Sequence, residues 1–137
     1  MAITINSALT DKAREKIAQM LISGESFTVD TFTVSDGGHD PVNPIISLAP
    51  DPTVLELPTL TGFEFGPKSI TTKRLVNIYT PVFTCVLEKA EAVGGISNIG
   101  LWATPLVGDP FLFALGNRGL STKTDSEQWV MNISVAY

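Results

Sequence analysis

The single histidine, His39, lies in Ser35-Asp36-Gly37-Gly38-His39-Asp40-Pro41, an imidazole between two carboxylates in a glycine-bearing loop. Such a set is raw material for a divalent-metal site or an acid/base pair. The spacing matches no zinc motif, and it lacks the alternating acidic ligands and terminal Glu of a helix-flanked calcium loop. Asp-Gly-Gly and Asp-Pro are ordinary turn chemistry, so the loop reads as a solvated turn without metal or catalytic role. A metal held in trans by copies of His39 on a symmetry axis is the minor alternative. The one cysteine, Cys85, stands beside Phe83, Val86 and Leu87 in a strand-like run, where burial raises a thiol pKa and makes it inert. No Gly-x-Ser-x-Gly elbow is present, and one His leaves no choice of base for a serine nucleophile. Gly94-Gly95, Gly108 and Gly116 form neither a dinucleotide fingerprint nor a phosphate loop. Asn132-Ile133-Ser134 spells a glycosylation acceptor but falls in a strand-like run, so it is read as chance. Trp102 and Trp129 could stack on sugars or bases, yet their hydrophobic neighbours at strand spacing favour core or interface roles. The residues therefore point away from an enzyme, and no cofactor is implied.

Composition narrows the classes further. The 137 residues fit one domain over 1–137, and 44% hydrophobic against 17% charged residues is too apolar for a disordered chain. A net charge of -5 and scattered basic residues, with Lys73-Arg74 the one adjacent pair, argue against nucleic-acid or membrane-surface binding. One cysteine excludes an internal disulfide framework and suits a reducing compartment. Met1 to Asn6 lacks the basic start and apolar stretch of a secretory signal, so synthesis inside a cell is expected.

The elements that must position these residues are one helix and several strands. Leu9, Ala13, Ile17, Met20 and Leu21 recur at helical spacing, which predicts an amphipathic helix over Asp11 to Ile22 with Thr10 as N-cap and Gly24 as left-handed stop. From Ser26 the period becomes two, with Phe27 and Val29 on one parity and Phe32 and Val34 on the other; the slip at Asp30-Thr31 predicts a bulge, or else two short strands. Ser35 to Lys68 holds Pro41, Pro44, Pro50, Pro52, Pro58 and Pro67, which predicts a long, irregular, extended arm without an interior strand. Its apolar residues predict that it packs either on its own core or on a neighbouring subunit. Five antiparallel strands are expected at Ile70 to Tyr79, Val82 to Lys89, Ile96 to Ala103, Phe111 to Leu115 and Glu127 to Ala136. Turns are expected at Gly94-Gly95, Gly108-Asp109-Pro110 and Asn117-Arg118-Gly119. The run Val82 to Leu87 reads as central and covered on both faces, and Trp129, Met131, Ile133, Val135 and Tyr137 as the buried parity of the last strand. The fold class is α+β, mainly β: one N-terminal amphipathic helix on an antiparallel sheet or β-sandwich, with the Pro-rich arm.

Four blocks of sequence, in this order, carry a resemblance: Leu9-Thr10-Asp11-Lys12-Ala13; Phe27-Thr28-Val29 with Phe32-Thr33-Val34-Ser35-Asp36-Gly37-Gly38; Ile96-Ser97-Asn98-Ile99-Gly100-Leu101-Trp102-Ala103; and Phe111-Leu112-Phe113-Ala114-Leu115-Gly116-Asn117 before a final apolar strand. Together they resemble the N-terminal, particle-anchoring domain of bacteriophage tail fibre and tail-collar proteins. The Pro-rich middle is unmatched, and Asn98 stands where family members usually carry an acidic residue. The resemblance supplies no catalytic residues and implies a trimer. Family members usually continue into a fibre shaft, whereas this chain ends at Tyr137, which favours an adaptor, baseplate or collar component, or a fibre base whose shaft is another chain.

These readings give an expected function: a virion structural protein of a phage tail, made in the host cytoplasm, acting through interfaces with its own copies and with other virion structural proteins. The interface residues expected are Ile45, Ile46, Leu48, Val54, Leu55, Leu57 and Leu60 in the Pro-rich arm. A small carbohydrate- or receptor-binding module, with Trp102 or Trp129 as stacking platform, is the competing reading.

Overall fold

Strand alternation begins at the second residue. A computed structural model describes residues 1–136, in which β1 (Ala2–Leu9) buries Ile3, Ile5, Ser7 and Leu9 and exposes most of the residues between. This strand was not expected, since Leu9 was grouped with the helix. Helix α1 (Asp11–Ser23) follows, and then β2 (Phe27–Ser35), β3 (Glu64–Ser69), β4 (Thr72–Val76), β5 (Thr80–Leu87), β6 (Gly94–Pro105), β7 (Phe111–Lys123) and β8 (Trp129–Ala136). With 52% of residues in strand and one short helix, the chain is mainly β.

The eight strands form one curled sheet in the order β3-β2-β6-β7-β1-β8-β5-β4. All neighbours are antiparallel except β1 and β8, which run parallel from Ala2↔Val130 to Ala8↔Ala136. The curl brings the two ends of the sheet together. Between β3 and β4, the Ile70 N–H donates to the Asp30 carbonyl of β2 and the Thr71 N–H to the Thr84 carbonyl of β5, at 3.0 and 2.8 Å. The Lys68 ammonium spans the same seam, donating to the Val86 carbonyl at 2.8 Å and pairing with Glu91 at 2.5 Å.

The concave face holds the core, including Phe32, Val34, Ile99, Leu101, Trp129, Met131 and Ile133. The slip in β2 is a bulge: the register with β6 shifts between Val29 and Thr31, so Phe32 and Val34 are fully buried while Phe27 and Val29 pack against the same core. On β8, Trp129, Met131, Ile133 and Val135 are the buried parity as expected; Tyr137 lies outside the described residues. In β5 the inward parity of Phe83, Cys85 and Leu87 is buried; on the other face Val82 is buried as well, while Thr84 and Val86 are half-buried.

The helix forms as its caps dictate. The Thr10 hydroxyl accepts from the Ala13 N–H at 3.0 Å and donates to the Leu112 carbonyl at 2.6 Å, tying the helix start to β7. Gly24 closes it at φ 75°. The expected apolar stripe docks only in part: Leu9 and Ala13 are buried and Ile17 and Met20 half-buried, but Leu21 is 79% exposed.

Two expected turns are strand. Gly94-Gly95 opens β6, and Asn117-Arg118-Gly119 continues β7 to Lys123. At Gly119 the glycine serves close approach: a Cβ there would stand 2.6 Å from the Ile45 carbonyl oxygen of the overlying loop.

That loop is the segment expected to be an extended arm, and a projecting arm is not what it forms. Its end is edge strand β3, which includes Pro67, a position where a missing N–H is tolerated. The rest lies on the convex face of β2, β6 and β7, held by main-chain bonds from Leu120 N–H to Pro44 O, Leu48 N–H to Gly38 O and Asp11 N–H to Pro52 O. Leu57 is its plug, buried with Leu112 over Gly100 and Thr33.

A buried polar cluster as the candidate functional site

The turn after β2 is not solvated. Ser35, Asp36 and His39 are all buried, beneath the loop and against Ser97 and Asn98 of β6. The reason is the overlying segment, which covers the convex end of β2 and so removes from water a loop that composition alone would leave exposed. His39 Nδ1 lies 2.8 Å from Ser97 Oγ, and the same hydroxyl accepts from the Gly38 N–H at 2.8 Å. With its ring enclosed, His39 cannot meet its copies on a symmetry axis without the loop opening.

Asp36 holds the far end of the segment. One carboxylate oxygen accepts from the Leu60 N–H at 2.8 Å; the other accepts from the Thr61 N–H at 3.2 Å and the Thr61 hydroxyl at 2.5 Å. Burial works to raise the Asp36 pKa, but the Thr61 hydroxyl and the Leu60 and Thr61 N–H groups outweigh it and hold the carboxyl below the usual range. Ser35 and Asn98 share Pro58: the Ser35 hydroxyl reaches the Pro58 carbonyl at 2.5 Å and the Asn98 side-chain oxygen, while Asn98 Nδ2 donates to Pro58 O at 3.0 Å. Gly37 must be glycine here, since a Cβ would overlap the Pro58 carbonyl. From β7, Asn117 Nδ2 donates to Leu48 O at 3.0 Å.

Most polar groups of this cluster hold the overlying segment to the sheet, while the Asn117 side-chain oxygen is buried without a partner. Its chemistry is that of a latch: hydroxyl, amide and carboxylate meet main-chain partners and leave no nucleophile facing a cleft. Among the described residues no group of three His, Cys, Asp or Glu side chains is gathered for a metal. Cys85 is fully buried, and burial pushes its thiol up to about 12.

The expected interface residues divide. Leu57 belongs to its own subunit at 4% exposure, and Val54 is half-buried. Ile45, Ile46, Leu48, Leu55 and Leu60 are exposed on the outside of the folded-back segment. Trp129 is enclosed in the core, so it cannot stack on a sugar; Trp102 is half-buried and donates its indole N–H to Thr33 Oγ1 at 2.9 Å.

Sequence reasoning missed two further features. Lys123 is fully buried, with its ammonium on the carbonyls of Glu88, Lys89 and Thr124 at 2.8, 3.0 and 3.4 Å, so it organises the turn that leads to β6. The exposed hairpin tip at Leu75 to Tyr79 was read as plain strand. Only the positive φ of Asn77 and Ile78 sets it apart, and nothing in the residue types announces that at Ile78.

Compared with family models, curated proteins and solved structures, the chain matches none. Among the described residues no helix is long and apolar enough to cross a membrane.

Proposed function

We propose that this chain is a structural component of a phage tail, anchoring a fibre or forming part of a collar or baseplate, and that it acts through subunit interfaces. The observation that carries the reading is a convergence. Ser35 to Gly38, Ser97-Asn98 and Asn117 come from three separate blocks of the resemblance and meet in one latch over the sheet. The helix-opening block meets the last of them, through Thr10 on the Leu112 carbonyl. Blocks that lie apart in the sequence and meet at one place on the sheet are what a common scaffold would keep, although Asn98 departs from the acidic residue usual there and the pinned loop is itself unmatched.

The surface supports an assembly role as well. Leu21 and Ile22 on α1, Val42, Ile45 and Leu55 on the overlying segment, Leu75, Ile78 and Tyr79 on the β4-β5 hairpin and Leu106-Val107 are all more than two-thirds exposed or close to it, with the lowest at 65%. Apolar side chains at this density on several faces suit a subunit touched from several sides. The partners would be other virion structural proteins and further copies of the chain, with a trimer favoured by the resemblance. The chain would reside in the tail and be made in the host cytoplasm.

Peptide mass spectrometry of purified particles, with native mass of the isolated protein across a concentration series, tests this. Tail-derived peptides and a discrete closed oligomer are expected. Particles without the chain would end the proposal.

A further inference from the structure

Strand β4 is laddered on one side only. It pairs with β5 from Thr72↔Thr84 to Val76↔Thr80 and ends the sheet, and all five of its residues are exposed. Its other edge presents main-chain donors and acceptors to solvent, the condition under which an added strand binds. Lys73 and Arg74 stand on this edge with no carboxylate near enough to pair, since the ion pairs among the described residues are Lys12–Glu15 and Lys68–Glu91. Beside them Leu75 is 65% exposed, Ile78 79% and Tyr79 76%. The tip is strained: Ile78 holds φ 69°, a left-handed conformation that a β-branched side chain rarely adopts.

We infer that the β4 edge receives an extended segment of a partner protein carrying alternating acidic and apolar side chains, added as a further strand. Charge selects this occupant. A second copy pairing antiparallel about the middle of β4 would set Arg74 against Arg74, and a parallel copy would set Lys73 against Lys73, both like-charge contacts across a ladder. The cations thus keep identical edges apart, a common protection of edge strands. An acidic parity on the Arg74 face turns that cation into attraction, while the apolar parity lies on the opposite face with Leu75, beside the Lys73 stem. The inference rests on reading the chain as an assembly component and names one of its docking edges.

The test uses the full chain and short capped peptides: alternating glutamate and valine, the same with lysine for glutamate, and the glutamate peptide interrupted by proline. Binding is followed by anisotropy of the labelled peptide and by amide exchange at Thr72–Val76. The glutamate peptide should bind and slow those amides, and the proline peptide should not. The Lys73→Glu/Arg74→Glu variant, changed at exposed positions and checked for native circular dichroism, should bind the glutamate peptide about tenfold more weakly and prefer the lysine peptide. No binding, binding indifferent to the charge swap, or β4 amides already protected in the concentrated protein alone would each overturn the inference. Incorporation of the double variant into particles at the wild-type level would remove β4 as an assembly edge while leaving the tail reading intact. Particles lacking the wild-type chain would end the tail reading, and the peptide result would still decide the edge.

Discussion

Replacing Asp36 by Asn changes one atom of the latch and tests whether it holds the overlying segment. The asparagine oxygen can keep the Leu60 N–H and the 3.3 Å branch of the forked Thr61 N–H, but an NH2 group replaces the oxygen that accepted its 3.2 Å branch. The Thr61 hydroxyl must turn from donor to acceptor, and the remaining bonds lose their charge assistance. A hydrogen bond to a charged group contributes about 1.5–3 kcal/mol, and a neutral one about 1. One branch of a forked bond lost and three bonds weakened, at a loop end where Thr61 is exposed, give a cost of about 2 kcal/mol at pH 7. For a domain of this size that is a fall in Tm of roughly 6–10 °C. The pH dependence gives a second reading. Because the folded carboxyl lies below its ordinary value of 3.8, the unfolded state binds more protons, so Asp36 stabilises above about pH 4 and that contribution is lost as pH falls through the folded value. Urea unfolding of wild type and Asp36→Asn at pH 7 and at pH 3 should show the difference shrinking on acidification, with the Leu60 and Thr61 amides exchanging faster in the variant at neutral pH. A difference below about 0.5 kcal/mol at pH 7, or one unchanged at pH 3, would refute the latch as described.

Three further outcomes are expected. Ile78→Gly relieves the left-handed strain at the hairpin tip and should stabilise the fold by about 1 kcal/mol in chemical denaturation, while removing an apolar contact from the proposed docking edge. Leu57→Ala empties the seat over Gly100 and Leu112 and should cost about 2–3 kcal/mol, toward the lower end for a buried leucine because the seat lies under a loop that can settle; a cost near zero would mean the segment does not pack on its own subunit. With its pKa near 12 and no exposure, Cys85 should resist a thiol reagent at pH 8 in the native protein and react at once in denaturant; rapid native labelling would show that the core around β5 opens readily.

Much of the fold was legible because local rules and global packing agree there. The Thr10 cap, the Gly24 stop, the β2 bulge and the buried parity of β8 each follow from residue type and period, and each is found. Where the reading failed, a residue type carried two meanings. Gly119 looked like turn chemistry and instead allows the overlying chain to approach β7, as Gly116 allows β1 to do. Prolines in the 35–68 segment excluded an interior strand correctly but did not say that the segment would fold back, because its anchors are main-chain groups of β7 and α1 that no local pattern reveals. The helix stripe continued through Met20 and Leu21 in sequence, yet Met20 is only half-buried and Leu21 is exposed.

By itself the sequence determined the helix with its caps, the β2 bulge, the buried parity of β8 and the mainly β class, since period and capping act within a few residues of one another. Only the tertiary structure decided that β1 joins β8 in parallel, that the sheet curls until Ile70 and Thr71 bond to both of its ends, and that the His39 loop is buried and not solvated. These facts depend on contacts between residues far apart in the chain. Solvent exposure of a polar loop is set by whatever lies above it, and here that cover is a segment fastened by Asp36, Asn98 and Asn117.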